Sequence, residues 1–176
     1  MHTRTIARAI ILVAIGVALS PFTSIPIGIA KINPTQHFVN VVSAVLLGPW
    51  WATGVALIIG ILRNALGTGT LLAFPGGMIG AFLAGYVYRV TRNLFVGALG
   101  EIVGTGLIGA VVSVLLVAPV LMGKTMAMGS LIIAFSGSTI LGSIIGLLAL
   151  KLLERAGFAV LKHEQKGVSS SGGSAL

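Results

Sequence analysis

Charged side chains interrupt this chain at intervals that match the thickness of a lipid bilayer. No Lys, Arg, Asp or Glu falls between Arg8 and Lys31, between Lys31 and Arg63, between Arg63 and Arg89, or between Lys124 and Lys151. A helix needs about 20 apolar residues to cross the hydrocarbon core, and these stretches are predominantly apolar. Only 8% of residues are charged and mean hydropathy is +1.10, where a soluble domain carries about a quarter charged residues. Aspartate is absent, and the acids are Glu101, Glu154 and Glu164. The chain reads as an all-α integral membrane protein, a compact bundle of six transmembrane helices.

Breakers place the spans. The first is expected at about 6–20, ended by Ser20-Pro21, with a loop rich in Pro, Gly and small polar residues over 21–36. The uncharged stretch from Ile32 to Leu62 is too long for one span, and Gly48-Pro49 breaks it, because proline removes a helix hydrogen bond and clashes with the preceding turn. Short spans at about 36–47 and 50–66 follow from that break. Gly67 to Pro75 reads as a loop or re-entrant segment, and further spans at about 76–90, 96–121 and 128–153 complete the bundle. The Ser/Gly-rich end has a flexible composition. It divides the chain into a membrane domain, 1–161, and a cytoplasmic tail, 162–176. The start, Met1 to Arg8, resembles a signal-peptide n-region, but the weak cleavage pattern fits a retained first helix better.

Charge orients the bundle. With six spans and both termini cytoplasmic, eight basic residues (Arg4, Arg8, Arg89, Arg92, Lys151, Arg155, Lys162, Lys166) face inward and three (Lys31, Arg63, Lys124) outward. Five spans with one long kinked helix give four inside and seven outside. The positive-inside rule selects six. It also accounts for the net charge of +8 without nucleic acid as a partner. Small-xxx-small spacings, Gly76/Gly80, Gly100/Gly104 and Ser138/Gly142/Gly146, are expected to pack helices within the bundle, since close backbone approach replaces the hydrophobic effect in lipid. Ala14/Ala18 in the first helix is a candidate for docking a partner helix.

Catalysis is hard to build from this inventory. Cysteine is absent, no phosphate-binding loop occurs, and Ser136 has only His37 as an interior base. A metal site needs several ligands, and His37 and Glu101 alone are suitable; no metal or cofactor is expected. Binding is easier. Lys31, Asn33, Thr35, Gln36, His37 and Asn40 gather polar groups at a loop-to-helix junction on the outer side, where lipid makes polarity costly. His37 and Asn40 share a helix face at i, i+3. Asn33 and Gln36 also suit capping and turn roles. Arg63, Asn64, Thr68 and Phe74 belong to the same outer side, and Arg63 has two structural alternatives, snorkelling or pairing with Glu101. Glu101 and Thr105 lie early in the fifth span, nearer the cytoplasm. Phe38 and Phe74 offer flat faces for a planar ligand, and Trp50 and Trp51 suit the inner interface.

Several of these segments resemble one family. Ile32-Asn-Pro-Thr-Gln-His-Phe-Val-Asn40, Leu47-Gly-Pro-Trp50, Arg63-Asn64, Gly67-Thr-Gly-Thr-Leu-Leu-Ala-Phe-Pro-Gly76 and Gly100-Glu-Ile-Val-Gly-Thr-Gly106 resemble the ThiW family. That family groups with the substrate-binding (S) components of energy-coupling factor (ECF) vitamin transporters. The resemblance covers about residues 6–155. It implies a non-catalytic subunit that captures hydroxyethylthiazole, the thiazole precursor of thiamin. A transmembrane T component and two cytoplasmic ATPases would power uptake, with Ala14 and Ala18 matching an AxxxA docking motif. The expected ligand-binding set is Lys31, Asn33, Gln36, His37, Asn40, Arg63, Asn64, Thr68, Phe74, Glu101 and Thr105. Alternatives are an S component for thiamin or its pyrimidine precursor, or a small membrane enzyme or assembly subunit. Lys31 and Arg63 supply two cations that suit a phosphate, so free and phosphorylated ligands both stay open.

Overall fold

A computed structural model describes residues 2–28 and 30–157; the expected tail, 162–176, lies outside them. Six helices carry the described chain: α1 (His2–Thr23), α2 (Pro34–Leu47), α3 (Pro49–Ala65), α4 (Ala73–Thr91), α5 (Leu94–Leu121) and α6 (Met128–Arg155). An antiparallel hairpin, β1 (Ile25–Ile27) and β2 (Ala30–Ile32), joins α1 to α2, with Pro26 opposite Lys31. Three helices, α1, α5 and α6, are long and apolar enough to cross a membrane. With its 14 residues, α2 rises only about 21 Å at 1.5 Å per residue, short of the roughly 30 Å hydrocarbon core.

The helix boundaries follow local chemistry. Helix α1 runs past Pro21 to Thr23 rather than stopping at Ser20, because a proline in the last turn removes only one hydrogen bond. The expected 21–36 loop is accordingly mostly structured. Asn33-Pro34 starts α2: proline occupies the first turn and the Asn33 side chain accepts from the Gln36 backbone N–H at 3.1 Å, the usual division of roles at an N-terminus. Gly48, at φ 86°, is the single residue between α2 and α3, so Gly48-Pro49 is a turn. Gly67 adopts φ 71° just past the end of α3, where glycine meets no steric penalty. Helix α4 begins at Ala73 and so includes Phe74 and Pro75, expected in the loop. Helix α5 is α-helical to Glu101, then widens to π-type turns over Ile102–Gly109 and Ser113–Leu121.

Helix α2 sits centrally, packed against α1, α3, α4 and α6. Glycines set the closeness of these crossings, as their spacing predicts. A Cβ on Gly142 would lie 2.9 Å from the Phe38 backbone nitrogen, and one on Gly146 3.0 Å from Val41 Cβ, so this stripe of α6 receives α2. Gly104 faces Gly80, where a Cβ would lie 2.7 Å from the Gly80 Cα, which closes α5 onto α4. The Ala14/Ala18 pair behaves differently. Both residues are exposed, and they line an open apolar groove with Ile10, Val17, Trp51, Gly54, Ile58 and Leu62 between α1 and α3.

Candidate functional site

The α2 N-terminus, the α3 C-terminus, the start of α4 and the middle of α5 and α6 meet beneath the hairpin. A small space there is walled by Lys31, Ile32, Asn33, Gln36, His37, Arg63, Ala73, Thr105, Phe135 and Ser138. Its free volume of about 10 Å³ is room for roughly one water molecule. The hairpin is fastened over it. Ser24 Oγ donates to the Thr68 carbonyl at 2.9 Å, and Lys31 Nζ donates to the Gly67 carbonyl.

Two polar groups lie under this cover. The first is centred on Glu101, fully buried. Its Oε1 is 2.9 Å from His37 Nδ1 and accepts from Asn40 Nδ2 at 3.0 Å. The Thr105 hydroxyl lies 3.0 Å from the same oxygen and 2.8 Å from the Gly76 carbonyl; having one proton, it donates to one at a time. Asn40 Nδ2 spends its other N–H on the Gly77 carbonyl at 3.1 Å. A carboxylate at this depth requires such partners, and Gly80 gives it space, since a Cβ there would lie 2.6 Å from Oε2. The contact uses His37 Nδ1, so Nε2 remains as the second ring nitrogen of a pocket-lining imidazole. Glu101 Oε2 and Asn40 Oδ1 are buried without a hydrogen-bond partner among the described residues.

The second group is centred on Arg63, only 1% exposed. It therefore does not snorkel, and it does not pair with Glu101. Its Nη1 donates to Gln36 Oε1 and its Nη2 to the Thr68 carbonyl at 3.0 Å. The loop after α3 holds the arginine in place by folding back on its carbonyl, which accepts from the Thr68 and Gly69 N–H groups at 2.9 and 3.0 Å.

The sequence-derived residues thus divide. Lys31, Asn33, Gln36, His37, Arg63 and Thr105 line the space. Asn40 and Glu101 lie behind His37, and the i, i+3 relation of His37 and Asn40 is what lets both reach one carboxylate oxygen. Asn33 also caps α2 and donates to the Ser20 carbonyl at 3.2 Å. Asn64 and Phe74 do not line the space: Asn64 Nδ2 donates to the Gly60 carbonyl at 2.9 Å, and the Phe74 ring covers Gly60. Thr68 does not line the space: its carbonyl accepts from Arg63 Nη2, and its hydroxyl donates to the Arg63 carbonyl at 3.3 Å. Glu101, expected nearer the cytoplasm, is bonded directly to the α2 cluster. Phe38 packs into the apolar core beside Val39 and Val41, and the pocket's aromatic wall is Phe135. Phe135, Ser138 and Ala73 were not anticipated. Ser138 carried a signal: it stands one turn before Gly142, whose face receives α2, so it must meet the beginning of α2.

A small, polar-walled space at one end of a glycine-packed bundle of apolar helices marks this chain as a membrane protein with a candidate binding site. A solved structure described as "Structure and mechanism of the S component of a bacterial ECF transporter" shares the fold, with a TM-score of 0.73 at 17% identity over 88% of this chain and 98% of that one. The family model for the thiamine-precursor transporter protein (ThiW) matches residues 6–156, and the chain belongs to that family. It is a transporter subunit and not an enzyme. A search among curated proteins found no match.

Proposed function

We propose that this protein is the substrate-capture subunit of an ECF-type transporter for the thiamin precursor hydroxyethylthiazole. The observation that carries this reading is the pocket itself. Within one small enclosure it offers an imidazole oriented by a buried carboxylate, amide and hydroxyl groups from Gln36, Asn33, Thr105 and Ser138, and the face of Phe135. A neutral thiazole alcohol presents a ring nitrogen, a hydroxyl and a flat face, which such a wall complements. Entry requires the hairpin to lift from Gly67 and Thr68, which makes it the gate. The excess of basic residues at the opposite end of the six-span bundle supports cytoplasmic termini and an outward pocket.

Likeness to an ECF transporter S component supports the coupling scheme, in which a transmembrane T component and two cytoplasmic ATPases drive uptake. The exposed Ala14/Ala18 face of α1 and its groove against α3 is the docking surface. Thiamin and its pyrimidine precursor are the competing ligands. Titration of the detergent-purified protein with hydroxyethylthiazole, thiamin and hydroxymethylpyrimidine tests the assignment. Hydroxyethylthiazole binds tightest of the three; tighter binding of either other compound would overturn it.

A further inference from the structure

Among the described residues, Arg63 has more donors than acceptors to take them, and no counter-charge. Two of its nitrogens reach neutral carbonyl oxygens, on Gln36 and Thr68. Its Nε is buried with no hydrogen-bond partner, and no carboxylate contacts the guanidinium among the described residues. The carboxylate of the site, on Glu101, is engaged by His37 and Asn40 instead. Lys31, the second cation on the pocket wall, likewise reaches only a neutral backbone carbonyl among the described residues. Burying a cation without an anion is strongly unfavourable. Had Arg63 only to hold the loop after α3, a neutral amide would supply the same bonds to Gln36 and Thr68 without that cost.

We infer that Arg63 and Lys31 form an anion subsite, and that the site accepts the phosphate monoester of the thiazole alcohol in preference to the free alcohol. The inference rests on the thiazole reading above and extends it to the charged form of the ligand. Planar guanidinium donors match phosphate oxygens in a way that ammonium does not. Gln36 acts as the internal substitute: its amide oxygen accepts from Arg63 Nη1, and it lines the pocket. On binding, an ester oxygen displaces it and takes the unpartnered Nε–H as well. Lys31 is released from Gly67 to the phosphate, so the contact that fastens the hairpin is exchanged for one to the ligand. The thiazole ring then lies toward His37 and Phe135.

Calorimetric titration of the purified full chain with hydroxyethylthiazole, its phosphate ester and inorganic phosphate tests this. The ester binds about tenfold or more tighter than the alcohol, the scale of a charge-assisted hydrogen bond. Inorganic phosphate at millimolar concentration competes with the ester. In Arg63→Gln the ester's advantage over the alcohol disappears, and Arg63→Lys restores it only in part, because a point charge replaces a fork. If the alcohol binds the wild-type protein as tightly as the ester or tighter, the anion subsite is wrong and the thiazole reading stands. If neither thiazole compound binds, the thiazole reading itself fails. The wild-type ratio decides the matter even should the Arg63 variants fail to fold.

Discussion

At the scale of single residues, His37 is the hinge between a structural cluster and the pocket. It lines the free space on one side and holds Glu101 on the other, so on the proposed function its removal both deletes a ligand contact and leaves a buried carboxylate short of a partner. His37→Ala should weaken hydroxyethylthiazole binding by about 1–3 kcal/mol, the cost of stranding a polar partner. Asn40→Ala should produce a loss of the same order without any direct contact to ligand, because Glu101 Oε1 loses one of its donors and the Gly77 carbonyl loses the Asn40 amide. Calorimetry on the purified variants measures both, and wild-type affinity in both would remove this cluster from the site. The sequence made much of this cluster legible. Polar residues grouped where polarity is expensive, and an i, i+3 spacing, were enough to put His37 and Asn40 together. It does not place Glu101, because a position early in the fifth span points to the cytoplasmic side, whereas the glycine-lined approach of α5 to α4 decides where that carboxylate meets α2. Asn64 and Phe74 are adjacent in sequence to pocket residues but turn toward Gly60. Proximity along the chain does not give facing at a helix end.

Among the elements, α2 and α6 form the contact on which the site depends. Gly142 and Gly146 allow α2 to approach so closely that the Pro34 carbonyl, His37 and Phe38 occupy the space a side chain would fill. Gly142→Leu should therefore push the beginning of α2 away. It should destabilise the protein by about 1–3 kcal/mol through overpacking and weaken ligand binding, since His37 moves with the helix. Gly137→Ala on the same helix, where a Cβ meets nothing within 4 Å, should leave the unfolding temperature unchanged or slightly raised. Thermal unfolding in detergent compares the two, and equal behaviour would exclude this crossing as the support of the site. The stripes were readable in advance because small residues four apart have one structural use in lipid. The hairpin was not. Its strands, Ile25–Ile27 and Ala30–Ile32, are three residues each, too short for an alternating pattern to stand out. The π-type turns of α5 were equally hidden, since their widening leaves the apolar composition of a span unchanged.

On the scale of the whole molecule, two features lie at different places and, on the proposed function, serve different steps. The pocket sits where the helices converge under the hairpin. The groove between α1 and α3 opens sideways along the bundle, lined by side chains that a membrane helix would cover. Within the bundle α1 makes its close approach through Gly16, which faces Ile59, while Ala14 and Ala18 point away from the core. Small residues left unused inside the fold, on a helix whose neighbours Ile10 and Ile11 are 62% and 58% exposed, leave a surface shaped for close helix contact. Capture and coupling should accordingly separate by mutation. Ala14→Trp fills the groove from an exposed position, away from the polar pocket, so purified protein should bind hydroxyethylthiazole with unchanged affinity. Cells that depend on this transporter should lose uptake of the labelled compound, because the bulky indole keeps the coupling subunit from approaching. Equal loss of binding and uptake would point to misfolding of the variant, which its unfolding temperature reports. Normal uptake with normal binding would remove this face from the docking surface and shift the search to the opposite side, where α5 and α6 present Leu115, Leu116, Ile140 and Leu141 outward.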